Sequence, residues 1–395
     1  MHSAPLGYRF AVASAGFRKE GRADLALVVS DAPAAAAGVF TQNLFPAAPV
    51  LVGRSMLAAR QTARAALINS GQANACTGDE GVRLCRATQA LTAGAVGLDA
   101  EDILPASTGV IGPQLLMDRW EKAVPKLAAN LGASGPEDFA RAIMTTDAFP
   151  KLAAREVSLP GGTARFLGIA KGAGMICPNM ATMLCVALAD IEVETPAWRE
   201  LLRETVATTF NRVTVDGDTS TNDTLYGLAN GCSGVRAAPG LPGWDACAEA
   251  LAGVLGELAY MLVKDGEGAS KVAHIRVVGA RSAADAELAA RAVGHSQLVK
   301  TALYGRDANW GRIVAALGRS GANFDPQAAR VSLCGVELFR NGQPTNSDFD
   351  ALLAEPLKER DLSIDISLGD GPGEYTLLAS DLTHDYVNVN ADYRS

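Results

Sequence analysis

The residues best placed to do chemistry are Ala181 and Thr182, at the end of the small-residue segment KGAGMICPNMATML, Lys171 to Leu184. A threonine hydroxyl is a poor nucleophile and needs a base beside it; one solution is the free α-amine of the same threonine. That amine titrates near ~7.7–8.0, close to a neutral working pH. Freeing it means breaking the bond between Ala181 and Thr182. The hydroxyl can do this by attacking the Ala181 carbonyl, giving an ester that water opens, so one residue serves two reactions. The plainer alternative is a threonine that only starts a strand.

Rival chemistries lack their residues. His2, His274, His295 and His384 lie far apart with no HExxH, and no Cys/His spacing suits a metal, so neither a metal nor a bound cofactor is expected. There is no GxSxG elbow, and Gly172 and Gly174 lack the third glycine and the acidic residue of a dinucleotide site. Asp216, Asp218 and Asp223 sit in DGDTSTND, which lacks EF-hand spacing and its closing glutamate. That segment reads as packed and turn-rich. A nucleophile that is its own base needs no histidine partner.

The whole chain bounds the setting. With 395 residues, 48% hydrophobic and 20% charged, it has a globular profile and length for two domains. A net charge of -8 without a Lys/Arg run argues for a small-molecule partner over nucleic acid. The seven cysteines, Cys76, Cys85, Cys177, Cys185, Cys232, Cys247 and Cys334, are scattered with no CxxC, which reads as reduced thiols. The start MHSAPLGYRF is unlike a secretory signal, and no stretch is read as reaching the ~20 apolar residues of a membrane span. A cytoplasmic protein is expected.

Short β-rich runs predict strands at Tyr8 to Ser14, Asp24 to Ser30, Ala37 to Thr41 and Ala65 to Asn69. A helix is expected from Asp79 to Ala95, then a strand from Asp102 to Ala106 running into a turn at STGVIG, Ser107 to Gly112. Pro113 should open a helix reaching Leu131. An alternating run, Thr163 to Ala170, enters the glycine-rich loop, which leaves as the buried strand Met183 to Ala189. Helices follow at Pro196 to Phe210 and Trp244 to Val263, the latter stopped by Gly266 and Gly268. After Lys271 to Gly279 come helices at Ala283 to Tyr304 and Trp310 to Gly318, and strands at Arg330 to Leu338, Leu362 to Leu368 and Glu374 to Ser380. The expected fold is α/β, mixed α+β, with a larger N-terminal layered domain over 1–279 and a smaller C-terminal domain over 280–395.

The segment KGAGMICPNMATML resembles the cleavage segment of the ornithine acetyltransferase family, also called glutamate N-acetyltransferases. Similar landmarks occur in the family's order: GVFTQN at Gly38, INSGQANACTG at Ile68, STGVIG at Ser107, MTTD at Met144, VDGDTSTND at Val215, KDGEGA at Lys264 and GRDANWGRI at Gly305. The ending DLTHDYVNVNADYRS is similar to the family's tail, so the resemblance spans essentially the whole chain. It implies a DmpA-like layered fold and an enzyme that moves acetyl from N2-acetylornithine to glutamate in cyclic arginine biosynthesis. Some members of the family also use acetyl-CoA. It further implies two fragments, Met1 to Ala181 and Thr182 to Ser395, that stay together as a heterotetramer or larger assembly.

The resemblance also assigns roles. Thr182 is the nucleophile and acetyl carrier. Thr108 and Gly109 match the oxyanion hole, where a hydroxyl and a backbone N–H face the developing charge. Lys171 matches a substrate-contacting position that would attract a carboxylate or polarise the acetyl oxygen. Thr145 matches another, with Thr146 beside it and the inward-pointing hydroxyl left open. Glu267 suits the δ-amine of ornithine or the terminal amine of Thr182. Asn390 and Ser395 match positions that hold the α-amino acid end, which requires the tail to return to the site. Without the resemblance, Lys171 and Glu267 read as solvated charges and Thr108 as part of a turn. Two other readings stand: an N-terminal-nucleophile amidase or aminopeptidase with water as acceptor, and an uncut, non-enzymatic binding protein.

Overall fold

The computed structural model describes residues 4–18, 21–177, 183–345 and 348–392, so Ala181, Thr182 and Ser395 lie outside the described residues. The chain divides into two compact units. The first takes Met1–Asn211 and Asp218–Leu262, the second Arg212–Gly217 and Val263–Arg394.

The first unit is built on strands β1 (Tyr8–Ala13), β2 (Leu25–Phe40), β3 (Thr62–Gln72), β4 (Ile103–Val110), β5 (Lys151–Leu159), β6 (Gly162–Lys171) and β7 (Leu184–Ala189). The two-residue β8 (Val213–Thr214) goes to the second unit, and β9 (Thr224–Ala229) returns to the first. Their sheet runs β4-β3-β2-β9-β7-β6-β5, with β1 against β2. The central β7 and β9, LCVALA and TLYGLA, are buried at every position. Covered on both faces, they are continuous apolar runs instead of alternating ones.

Helices α1 (Ala48–Ala59), α2 (Gly78–Val96), α3 (Met117–Ala129), α4 (Pro136–Ile143), α5 (Thr195–Thr208) and α6 (Trp244–Lys264) complete the layers. The alternation of β2 shows the division. Ala26, Val28 and Ala36 share a core with Phe139 and Ile143 of α4, whereas Leu25, Leu27 and Val29 pack with Trp120, Val124 and Leu127 of α3. Each such fully buried large side chain contributes ~1.5–3 kcal/mol.

In the second unit, strands β10 (Val272–Ala280), β11 (Arg330–Leu333), β12 (Val336–Arg340), β13 (Gln343–Pro344), β14 (Asp361–Ser367) and β15 (Gly373–Ser380) form a sheet with β8, in the order β13-β12-β11-β14-β10-β15-β8. Helices α7 (Ala283–Gly294), α8 (Gln297–Gly305), α9 (Trp310–Gly318), α10 (Phe349–Leu353) and α11 (His384–Asp392) accompany it. Ala286, Ala290 and Val293 of α7 pack with Ile275 and Val277 of β10.

Several expectations are revised. The runs at Asp24 and Ala37 are one strand, β2, whose pairing with β3 shifts register between Val29 and Ala34, absorbing Pro33 in an irregular stretch. STGVIG is not wholly a turn: β4 continues through Thr108 and Gly109 to Val110, in parallel pairing with β3. The helix placed at Pro113 begins at Met117. The run Ala283 to Tyr304 is two helices, because Ser296 accepts the Val299 N–H and caps a new one. Arg330 to Leu338 is a hairpin turning on Cys334 and Gly335, both at positive φ. A boundary at Gly279 would strip β10 from β14 and β15, its partners along most of its length; the units divide at Val263.

The reading that no stretch could span a membrane is also corrected. Helix α6, Trp244–Lys264, is long and apolar enough by length and composition. It packs instead as a core helix: Cys247, Leu251, Val254, Leu258 and Leu262 are buried, and Leu258 and Val254 close over Gly168 of β6. None of the seven cysteines is in a disulfide.

Candidate active site

Lys171 is the last residue of β6 and lies buried beneath the sheet's end. Its ammonium donates to Thr145 Oγ1 at 2.6 Å and lies 3.4 Å from Thr108 Oγ1. Three side chains assigned from distant segments therefore share one cluster. Of the adjacent Thr145 and Thr146, Lys171 reaches the Thr145 hydroxyl. An ammonium and hydroxyls in a buried setting are hydrogen-bond donors suited to a carbonyl or carboxylate oxygen.

Thr108 and Gly109 come from β4, opposite Ser70 and Gly71 of β3. Gly109 has φ of 133°, and an added Cβ would lie 2.3 Å from the Gly71 carbonyl carbon. Glycine is therefore required here by the close approach of two backbones as well as by the conformation. Ser107, just before, donates through Oγ to Asn69 Oδ1 at 2.6 Å.

Asp147 was not singled out by the sequence, yet it organises the cluster. Its carboxylate accepts from Lys151 Nζ at 2.7 Å, from the Gly172 N–H at 2.6 Å and from the Thr145 N–H at 2.9 Å. Burial alone would push the carboxyl up, but Lys171, Lys151 and the Gly172 amide outweigh it and hold it well below the usual carboxylate range. Arg18 supports the other side, donating to the Met144 carbonyl and to the Thr145 carbonyl at 2.9 Å.

Two further buried side chains were missed. Asn222 Nδ2 donates to the Ala73 and Ser107 carbonyls at 2.6 and 2.7 Å. Asp223 Oδ1 accepts the Met183 N–H at 3.1 Å. The sequence signal was present in VDGDTSTND, where polar side chains run directly into the apolar strand β9.

In the second unit, Asn390 Nδ2 on α11 donates to Glu267 Oε2 at 2.8 Å. The start of α11 sits close on the KDGEGA loop, where Thr383 Oγ1 donates to the Gly268 carbonyl at 2.8 Å. Two assigned residues are thus brought together within that unit. Thr182, Ala181 and Ser395 lie outside the described residues.

A layered α/β frame whose buried donors converge on one cluster is the frame of an enzyme. The chain belongs to the ArgJ family, whose model matches residues 9–395. It is 66% identical, over the full length of both chains, to the arginine biosynthesis bifunctional protein ArgJ of Nitratidesulfovibrio vulgaris. It is 46% identical to the protein of the same name from Geobacter sulfurreducens, over 98% of this chain and 99% of that one. It is also similar to the solved structure of ArgJ from Bacillus halodurans, with 35% identity and a TM-score of 0.50, covering 52% of this chain and 96% of that chain.

Proposed function

We infer that this protein is the acetyltransferase of the arginine pathway, moving acetyl from N2-acetylornithine to glutamate. Family membership over nearly the whole chain, with Lys171, Thr145 and Thr108 joined in one buried cluster, carries the reading. Thr182 cuts the chain before itself, then takes the acetyl group while its freed amine accepts the hydroxyl proton. Ornithine leaves, and the amine of glutamate attacks the acetyl-threonine in a ping-pong cycle. Water must be excluded meanwhile, or the ester is lost to hydrolysis.

Thr108 and the Gly109 N–H act as oxyanion donors in both the cleavage and the transfer. Lys171 and Thr145 bind the acetylated substrate. Glu267, Asn390 and Ser395 hold its amine and α-amino acid end, the tail returning to the site. The relatives' name, a bifunctional protein, favours acetyl-CoA as a second donor for glutamate. The protein acts in the cytoplasm as paired fragments, in a heterotetramer or larger assembly. The fragment arrangement is supported by the Bacillus halodurans chain, matched over 96% of its length by only 52% of this one.

The test is an intact-mass spectrum of the purified protein alongside glutamate-dependent release of ornithine. Two masses corresponding to 1–181 and 182–395 are expected, with transfer faster than acetyl release to water. Thr182→Ala should give one inactive, uncut chain, and Thr182→Ser should still cut. An active, cleaved alanine variant would end the assignment.

A further inference from the structure

Glu267 and Asn390 meet although they belong to a loop and a helix far apart in the chain. Asn390 Nδ2 donates to Glu267 Oε2 at 2.8 Å and to the Tyr386 carbonyl at 3.0 Å. A carboxylate and a carbonyl only accept, so together they fix which way the amide points. The residue that ties this helix to this loop is Thr383. Its buried hydroxyl donates to the Gly268 carbonyl at 2.8 Å and accepts the Tyr386 N–H at 3.3 Å, in the manner of an N-cap of α11. The contacts close a ring. Thr383 holds Gly268, the chain neighbour of Glu267; Glu267 accepts from Asn390; Asn390 donates to Tyr386; and Tyr386 returns to Thr383.

Two further features hold the ring in place, all within the second unit. Gly268 has φ of 67°, and an added Cβ would lie 2.6 Å from the Tyr386 amide nitrogen, so the start of α11 rests directly on the loop. Asp381 fixes the loop's exit, its carboxylate accepting the N–H groups of Ser270 and Lys271 at 2.9 and 3.0 Å. Asn390 is exposed and Glu267 half-buried, within reach of a ligand, whereas Thr383 is buried.

We propose that Thr383 is a positioning residue for the substrate: its one hydroxyl sets Asn390 against Glu267 and so shapes the site that takes the substrate's ammonium group. The proposal rests on the reading above that Glu267 and Asn390 hold that amine. Thr383 acts through the pair and does not touch the substrate itself.

Transfer is followed by kcat and KM for N-acetylornithine at saturating glutamate, and folding by circular dichroism. Thr383→Val removes both hydrogen bonds at nearly constant size. Thr383→Asp keeps an acceptor for the helix but has no proton for the Gly268 carbonyl, so it caps without tying. Both should raise KM about 10-fold, the scale of one lost hydrogen bond, with kcat little changed. Thr383→Ser should stay close to wild type. Because Thr383 acts through Asn390, Thr383→Val should add little to the KM already raised by Asn390→Ala. A Thr383→Asp variant with wild-type KM makes the hydroxyl a helix cap only and overturns the proposal, as does full additivity with Asn390→Ala. Should Thr383→Val not fold, Thr383→Asp carries both measurements. Unchanged KM in both Asn390→Ala and Glu267→Gln would instead overturn the substrate reading itself, and the proposal with it.

Discussion

Gly71 and Gly109 lie opposite each other in the parallel pairing of β3 and β4, so close that a Cβ on Gly109 would fall 2.3 Å from the carbonyl carbon of Gly71. The assigned oxyanion strand thus depends on a backbone contact that no side chain fits. Gly109→Ala should cost about 2–5 kcal/mol, from combined strain and overlap. Gly112→Ala is the comparison: it shares a positive φ, but an added Cβ there meets nothing within 4 Å. Chemical unfolding of the two variants should separate overlap from strain, and equal losses would contradict the close-contact argument.

Thr108→Ala leaves the strand pairing intact and removes one hydroxyl from the Lys171 cluster. If that hydroxyl serves as an oxyanion donor, cleavage and transfer should both slow by about 10²–10³-fold. The readout is the ratio of the two effects. A variant that slows transfer but cleaves normally would show that the two reactions use different donors.

Asp147 and Lys151 form a buried ion pair with both side chains inaccessible to solvent. Asp147→Ala strands the Lys151 charge and should cost about 3–5 kcal/mol, whereas replacing both with apolar groups of similar volume should recover much of it. The pH dependence has a definite sign. The folded carboxyl titrates below its unfolded value, so its contribution is present above about pH 4 and is lost as the solution is made more acid. Urea midpoints measured between neutral and acid pH should fall more steeply for wild type than for Asp147→Asn.

His295, which caps the end of α7, gives a second window. Burial first, then Arg291, Lys300 and Arg319, push its imidazole from 6.5 down to about 4. The unfolded chain therefore binds a proton that the folded one refuses, and stability falls as pH drops from 6.5 towards 4. The loss should amount to about 1–3 kcal/mol, and His295→Gln should flatten the curve in that window. An unchanged slope in the glutamine variant would assign the titration to another group.

Much of this was legible in the sequence for identifiable reasons. Strands β6 and β7 showed themselves because one alternates and the other is a bounded apolar run. The motif order pointed to Thr108, Thr145 and Lys171, which the fold joins. What stayed hidden was hidden physically. Strand β4 continues past Ser107 because two facing glycines let backbones approach, a pairwise property no local window contains. Asp147 was not singled out, and Asn222 and Asp223 read only as part of a packed, turn-rich segment, since their partners Lys171, Ser107 and Met183 are brought near only by the fold. The split of Ala283 to Tyr304 turned on one cap at Ser296, too short a signal to outweigh a long run of helical spacing.

The strand order β4-β3-β2-β9-β7-β6-β5 has a last consequence. Strands β9 and β7 come from after Ala181, and they lie between β2 and β6, which come from before it. If the chain is cut as proposed, the later fragment supplies the middle of a sheet whose two sides belong to the earlier one. Parting such a pair would break the pairing of β9 with β2 and of β7 with β6 and expose two fully buried strands. Dilution should not dissociate the fragments, and mixing two isotopically labelled preparations should yield no hybrids. Two chains made by the proposed cut would therefore share one sheet, and their association would be far tighter than that of ordinary subunits.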